Sequence, residues 1–217
     1  MKNYEIKKIL VPVDFSGASE MATSEALTLA KLLKAEVFLI HVMEGIGYIS
    51  SLIPEKDSIS PTISELSIEV ERKMDNLKNK IIKDYDIIPE IFIASGHIHT
   101  EIISFSENKK IDLIVMGTHG ATGYKEFFIG TNAHRVVTLS EIPVLTIRNK
   151  NINPVFGNIM IPIDNSIHSR EKVNLAMTIA ELFGSKIHII GLPYSNDEQE
   201  LNKFKTKLES VEEIVKE

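Results

Sequence analysis

The chain repeats its own opening. Residues 7–42, KKILVPVDFSGASEMATSEALTLAKLLKAEVFLIHV, align without a gap against residues 157–192, GNIMIPIDNSIHSREKVNLAMTIAELFGSKIHIIGL, at an offset of 150 positions. Pro12 matches Pro162, Asp14 matches Asp164, Ser16 matches Ser166 and Ser19 matches Ser169, while Ala26, Thr28, Ala30 and Leu32 match Ala176, Thr178, Ala180 and Leu182. Two unrelated strand–helix–strand units can share an apolar pattern, but a shared Pro-x-Asp-x-Ser at the same strand end marks duplication. The 217 residues fall short of two ordinary domains of roughly 150 residues each. The expected division is therefore a complete domain over residues 1–148, a short turn-rich linker over 149–157, and an incomplete second domain over 158–217.

Within the first copy, Lys8 to Asp14 is a short apolar run with β-branched character. Ala22, Ala26, Leu29, Ala30 and Leu33 then recur at steps of three and four, which is one face of a helix. Glu36 to Val42 is apolar almost throughout, which suits a strand in a sheet covered on both faces. The stretch from 45 to 64 has no steady period and contains Pro54 and Pro61, so it reads as a long loop, either a surface excursion or a lid. Beyond it the pattern predicts a helix over 63–84, a strand over 87–94, a helix over 98–108, a strand over 111–117, a helix within 127–139 and a strand over 143–147. Five strands joined by four helices predict an α/β fold, an open parallel sheet with right-handed crossovers and helices on both faces. The second copy supplies only two strands and a charged helix over 197–216. Two parallel strands bury poorly alone, so this part is expected to lie against the first domain or a partner chain.

Composition removes several kinds of chemistry. There is no cysteine, hence no disulfide, thiolate nucleophile, cysteine-ligated zinc or iron–sulfur cluster. The formal charge of -6 disfavours non-specific binding to nucleic acid. No apolar run approaches the roughly 20 residues of a membrane span, and the opening enters a strand directly, so a cytoplasmic protein without membrane contact is expected.

Asp14 follows its strand at the carboxyl end, where open α/β sheets place their ligands. It reads as a ligand contact, as the carboxylate of a local Asx-type turn, or as both. Ser16 and Ser19 read as helix-capping residues rather than nucleophiles. The strongest local signal is GTHGATGYKEFFIGT, residues 117–131. Gly117 ends a strand, Gly120 follows three residues on, and Gly130-Thr131 opens the next helix, so backbone amides from both ends of the loop can converge on an anion. Phosphate is the natural occupant, with the Thr131 hydroxyl reaching a phosphate or a phosphate-bound metal. The alternative is a glycine-containing connector with no ligand. His119 within the loop either approaches phosphate or is structural. His97 and His99 read as a solvated turn rather than a fragment of a metal site, and His41 as a hydrogen-bonded core residue. Neither GxxxxGK[ST] nor GxGxxG is present.

The spacing Gly-x2-Gly-x9-Gly-Ser/Thr, met by Gly117, Gly120, Gly130 and Thr131, resembles the nucleotide-binding branch of the universal stress protein family. The resemblance extends to VPVD at 11–14, His41-Val42, DLIVMGTHG at 112–120 and PVLTI at 143–147, and so spans the first 148 residues. It implies a five-stranded parallel sheet of order 3-2-1-4-5, with ATP or a related ADP or AMP across the point between the first and fourth strands, accompanied by Mg²⁺ or Mn²⁺. It would place Asp14 on the ribose or adenine side, Val13 and Val42 at the adenine with Pro12 and Met116 alongside, and Gly117, Gly120, Gly130 and Thr131 at ribose and phosphates. Asn132 would offer a further amide, and His119 would border the phosphates. The resemblance also implies a homodimer formed through the last strand, Val144 to Ile147. The function expected is that of an ATP-binding stress-response or signalling protein of the UspA type, a tandem-domain member with an incomplete second domain and nucleotide occupancy as its switch. The alternatives are a slow ATP-hydrolysing enzyme using the same pocket, or a nucleotide-free interaction module. No dedicated catalytic residue stands out. In the second copy Pro162 and Asp164 recur, but no glycine loop follows, so one complete nucleotide site is expected per chain.

Overall fold

The computed structural model of the chain describes residues 4–44, 61–118, 130–148, 156–164 and 169–216. It divides into two compact units, Ile6–Asn151 and a second made of Met1–Glu5 with Ile152–Glu217. In the first unit the order is β1 (Lys8–Pro12), α1 (Gly17–Leu33), β2 (Glu36–Met43), α2 (Pro61–Tyr85), β3 (Glu90–Ser95), α3 (Ile98–Lys109), β4 (Leu113–Gly117), α4 (Thr131–Leu139) and β5 (Val144–Ile147). The strands form one parallel sheet of order β3-β2-β1-β4-β5, as expected.

The central strands are apolar on both faces because both are covered. Ile9 lies beside Val37 on one side and Leu113 on the other, and Ile9, Leu10, Val11, Ile114 and Val115 are fully buried. On one face Leu10, Phe38, Ile40 and Met116 pack against Ile102 of α3 and Ala133 and Val136 of α4. α1 buries the stripe Ala22, Ala26, Leu29 and Ala30. Its amino end is capped by Ser16, whose Oγ accepts from the Ser19 amide at 3.2 Å, as the capping reading expected.

Several boundaries differ from the sequence expectation, among them β1, which ends at Pro12 rather than Asp14, and β3, which runs Glu90–Ser95 rather than 87–94, and two others have local reasons. β4 starts at Leu113 rather than Ile111. The residue before it, Asp112, turns its carboxylate onto the start of β1, where Oδ2 accepts from the amides of Lys7 and Lys8 at 2.8 and 2.9 Å. α2 starts at Pro61 rather than residue 63, since proline's fixed φ and missing N–H suit the first helical position. The loop read as an excursion or a lid lies, from 45 to 60, outside the described residues.

The second unit comprises β6 (Asn158–Ile163), α5 (Ser169–Phe183), β7 (Lys186–Gly191) and α6 (Glu198–Lys216), with β6 and β7 forming a parallel pair. It reproduces the local geometry of β1–α1–β2. The Glu36 amide donates to Lys7 O at 2.7 Å and the Lys186 amide to Gly157 O at 3.0 Å. The Ala35 amide donates to Ala30 O at 3.0 Å and the Ser185 amide to Ala180 O at 2.9 Å. Lys34 and Gly184, equivalent positions just past their helices, are both left-handed, at φ 56° and 64°. The core of this unit is Ile161, Ile163, Val173, Ala176, Phe204 and Val211. No helix among the described residues is long and apolar enough to cross a membrane.

Candidate functional site

The strand order reverses between β1 and β4, so the connections leaving their carboxyl ends run in opposite directions and open a crevice there. In this chain the crevice is a cleft of about 240 Å³. Pro12, Val13 and Asp14 enter it from the end of β1, and Val42 from β2. Met116 and Gly117 enter from β4, and Gly130, Thr131 and Asn132 from the start of α4. His119 and Gly120 lie outside the described residues.

The end of β1 is held tightly. The Val13 amide donates to Ile40 O at 2.8 Å, and His41 Nδ1 donates to Val13 O at 2.7 Å, so His41 is a hydrogen-bonded strand residue. The chain then reverses at Phe15, which sits at φ 62°, a left-handed conformation that a bulky side chain adopts only when its surroundings enforce it. Its ring lies 4.9 Å from that of His41, centroid to centroid. The reversal brings Asp14 Oδ1 to 2.9 Å from the Ser16 amide, an Asx turn. The Asp14 carboxylate is exposed, and Oδ2 has no hydrogen bond among the described residues. Asp14 is also the one ionisable side chain among the described residues lining the cleft.

The two glycines at the ends of the loop have different settings. The amides of Thr118 and Gly130 do not face the cleft as free donors. Thr118 N donates to Ile147 O at 3.0 Å, and Gly130 N donates to Thr118 O at 2.7 Å. The available donors lie one step further on. Gly130 caps α4, its carbonyl accepting from His134 N at 2.9 Å, and no side chain caps the helix. Thr131, Asn132 and Ala133 therefore have amides with no intrahelical acceptor, and all three residues line the cleft at the positive end of the helix dipole. Gly117 serves packing. A Cβ there would stand 2.8 Å from the backbone carbon of Ala18, in the first turn of α1.

Much of the remaining lining is apolar. Ile40, Val42 and Met116 continue from the sheet into the cleft, joined by Ile98 and Ile102 of α3. The sequence reading missed Ile40, Ile98 and Ile102, although the spacing of the two α3 residues by four already put them on one helix face. Ser19 and Thr118 also line the cleft. His97 is the exposed amino cap of α3, and no group of three metal-ligating side chains occurs among the described residues.

The universal stress protein family model matches residues 5–148. Universal stress protein MJ0577 of Methanocaldococcus jannaschii is 31% identical over 159 residues, which cover 67% of this chain and 96% of the relative. Universal stress protein YxiE of Bacillus subtilis is 34% identical over 149 residues, 65% of this chain and 98% of the relative. A crystal structure of a universal stress protein from Archaeoglobus fulgidus superposes with a TM-score of 0.71 at 23% identity, over 97% of this chain and 74% of that one, which speaks to the fold alone. Given a family match that runs the length of the five-stranded unit, the chain belongs to the universal stress protein family.

Proposed function

We propose that the cleft of the first unit binds an adenine nucleotide, ATP foremost with ADP and AMP as related occupants, and that occupancy is the switch of a stress-response or signalling protein. The observation that carries this reading is the amino end of α4, with three amides that have no intrahelical acceptor and no side-chain cap among the described residues, on a cleft that is also lined by apolar side chains. Such a helix end is a ready anion site, and the wall of Ile40, Val42, Ile98, Ile102 and Met116 suits a flat, weakly polar base. Asp14, exposed between the two, has a free oxygen for ribose hydroxyls. In this reading Pro12 and Val13 border the base, Thr131 and Asn132 meet the phosphates, and His119 and Gly120 complete the phosphate loop.

Asp14 and Thr131 together offer too few oxygens for a Mg²⁺ or Mn²⁺ ion that prefers about six ligands, so the metal arrives on the nucleotide, with the Thr131 hydroxyl beside it. We read the second unit as an incomplete second copy, in keeping with domains over 1–148 and 158–217 and a linker between, and so expect one nucleotide per chain. The chain is read as a homodimer joined at β5, which lies at the edge of the sheet.

The test is to purify the chain without added nucleotide, denature it and identify the released small molecules by mass spectrometry, then titrate the emptied protein with MgATP by calorimetry. No released nucleotide together with no binding heat sinks the reading. Gly130 sits at φ -57°, which any residue adopts, so Gly130→Val should keep the fold. Its branched side chain at the mouth of the anion site should weaken MgATP binding at least tenfold, and undiminished affinity contradicts the role. Phosphate release above background that this variant abolishes would establish hydrolysis in the same cleft.

A further inference from the structure

The first unit holds a second cavity, between α1 and α2, of about 620 Å³. That volume lies within the ~300–1,000 Å³ usual for small-molecule sites. Its lining is mixed, with an apolar part made of Phe15, Met21 and Leu27 on the α1 side and Leu77 and Ile81 on the α2 side, and Ser19, Thr23, Ser24 and Asn76 among the polar residues. Lys73 and Lys80 stand on its lining against a single acid, Glu20. Seven residues apart, the two lysines share one face of α2. Lys73 pairs with Glu69 at 2.8 Å and lies 5.6 Å from the Phe15 ring centroid. Lys80 has no ion pair among the described residues. Glu69 offsets Lys73, so Lys80 is the cation on this lining that remains for an anionic group.

The second unit packs its corresponding helix through apolar side chains. There α6 follows β7 as α2 follows β2. Phe204 and Val211 are buried against Val173 and Ala176 of α5. Phe204 and Leu208 close over Gly191 so tightly that a Cβ there would meet them at 2.9 and 2.5 Å. In the first unit α2 likewise buries Met74 and Ile81, but it also meets α1 through a polar contact, Ser24 Oγ to Tyr85 Oη at 3.0 Å, and carries lysines and Asn76 on the cavity lining. The bulky Phe15, in its left-handed conformation, sits with its ring on the cavity wall.

We propose that this cavity binds a single-chain carboxylate, a fatty-acid-like amphiphile, with its chain against Phe15, Met21, Leu27 and Leu77 and its carboxylate at Lys80. The apolar part of the lining takes the chain, and the Lys80 ammonium, without an ion pair among the described residues, takes the charge. The site is separate from the nucleotide cleft, although Val13 and Ser19 line both.

The experiment is calorimetric titration of the full chain with dodecanoate below its micellar concentration, beside dodecyltrimethylammonium, which has the same tail and the opposite charge. Saturable binding of dodecanoate at one per chain is expected, with the cation at least tenfold weaker. Lys80→Glu should weaken dodecanoate at least tenfold, and Asn76→Trp, which places an indole in the void, should abolish binding. Thermal unfolding of both variants confirms that they fold. Absence of dodecanoate binding, equal binding of the two amphiphiles, or unchanged binding in either folded variant overturns the proposal. The amphiphile comparison decides the matter on the unmodified protein even if a variant does not fold.

Discussion

Replacing Gly117 with alanine separates a packing role for this glycine from a purely conformational one. Gly117 ends β4 under the first turn of α1, and the new Cβ would lie 2.8 Å from the carbonyl carbon of Ala18 and 2.9 Å from both its oxygen and its Cβ. Carbon atoms at optimal contact stand about 3.5 Å or more apart. Two of the three neighbours are backbone atoms, so no rotamer change relieves the crowding, and the amino end of α1 or the end of β4 must shift. Gly117 does not have a positive φ, so the backbone itself accepts alanine. By chain entropy alone, Gly→Ala at such a position stabilises by about 0.4–1 kcal/mol. Overpacking a filled site costs about 1–3 kcal/mol. The steric term wins, giving a net destabilisation of about 1–2 kcal/mol, opposite in sign to what a merely permissive glycine would show. Urea denaturation measures it as a lower midpoint at unchanged slope. The displaced turn carries Asp14, Ser16 and Ser19, so MgATP affinity should fall as well. A midpoint equal to or above that of the parent refutes the steric account.

Two further perturbations test other joints of the same unit. Asp112→Ala strips the Lys7 and Lys8 amides of their shared acceptor and should cost about 1–3 kcal/mol in urea denaturation. Asp112→Asn, which keeps an acceptor oxygen, should cost less. Glu25 has its pKa raised by burial. Its folded form therefore holds the proton more tightly than the unfolded chain, and the stability this contributes is present below the ordinary carboxylate pKa and lost as pH rises through the folded value. Glu25→Gln should then be slightly more stable than the parent at neutral pH, by less than about 0.5 kcal/mol for so accessible a site. The gap should close in acid, and a difference independent of pH would contradict the assignment.

The sheet was legible because its strands are short, nearly continuous apolar runs, and only a doubly covered parallel sheet makes use of such runs. Strand ends were less legible, since a side chain set them. Nothing local in IDLIV announces that Asp112 will fold back onto the β1 start 104 residues earlier. Around the cleft, glycine spacing marked the two ends of a loop but not which amides there are free. Spacing marks where the backbone can approach a ligand, but whether a given amide is free depends on which carbonyl lies opposite, and Thr118 meets Gly130 only in the folded chain. The apolar wall supplied by Ile98 and Ile102 is tertiary in the same sense. The reversal at Phe15 has no sequence signature, because a bulky residue in a left-handed conformation is held there by its neighbours. The cavity between α1 and α2 depends on how far apart two helices stand, which the pattern of either helix does not encode.

The repeated opening places an aspartate just past the first strand of each unit while one nucleotide cleft per chain is proposed, and the two aspartates differ in their surroundings. A cleft in this fold needs the turn after the first strand and, across the switch point, the amino end of a helix that follows the neighbouring strand. Asp14 has both, with α4 facing it. Asp164 has the turn position only, among the described residues, and its carboxylate is engaged elsewhere. Its Oδ2 accepts from the Tyr194 hydroxyl at 3.1 Å, while its carbonyl accepts from Lys207 Nζ at 2.8 Å. That hydrogen bond, and then the carboxylate charge, holds the Tyr194 phenol above its ordinary pKa. Asp164→Asn should therefore lower the Tyr194 pKa, read by NMR of ring-labelled tyrosine, and leave MgATP affinity as it was. Asp14→Asn should do the reverse, weakening MgATP and leaving Tyr194 alone. If Asp164→Asn weakened nucleotide binding as much as Asp14→Asn did, the second unit would have to contribute to a nucleotide site, and the assignment of one cleft per chain would fall.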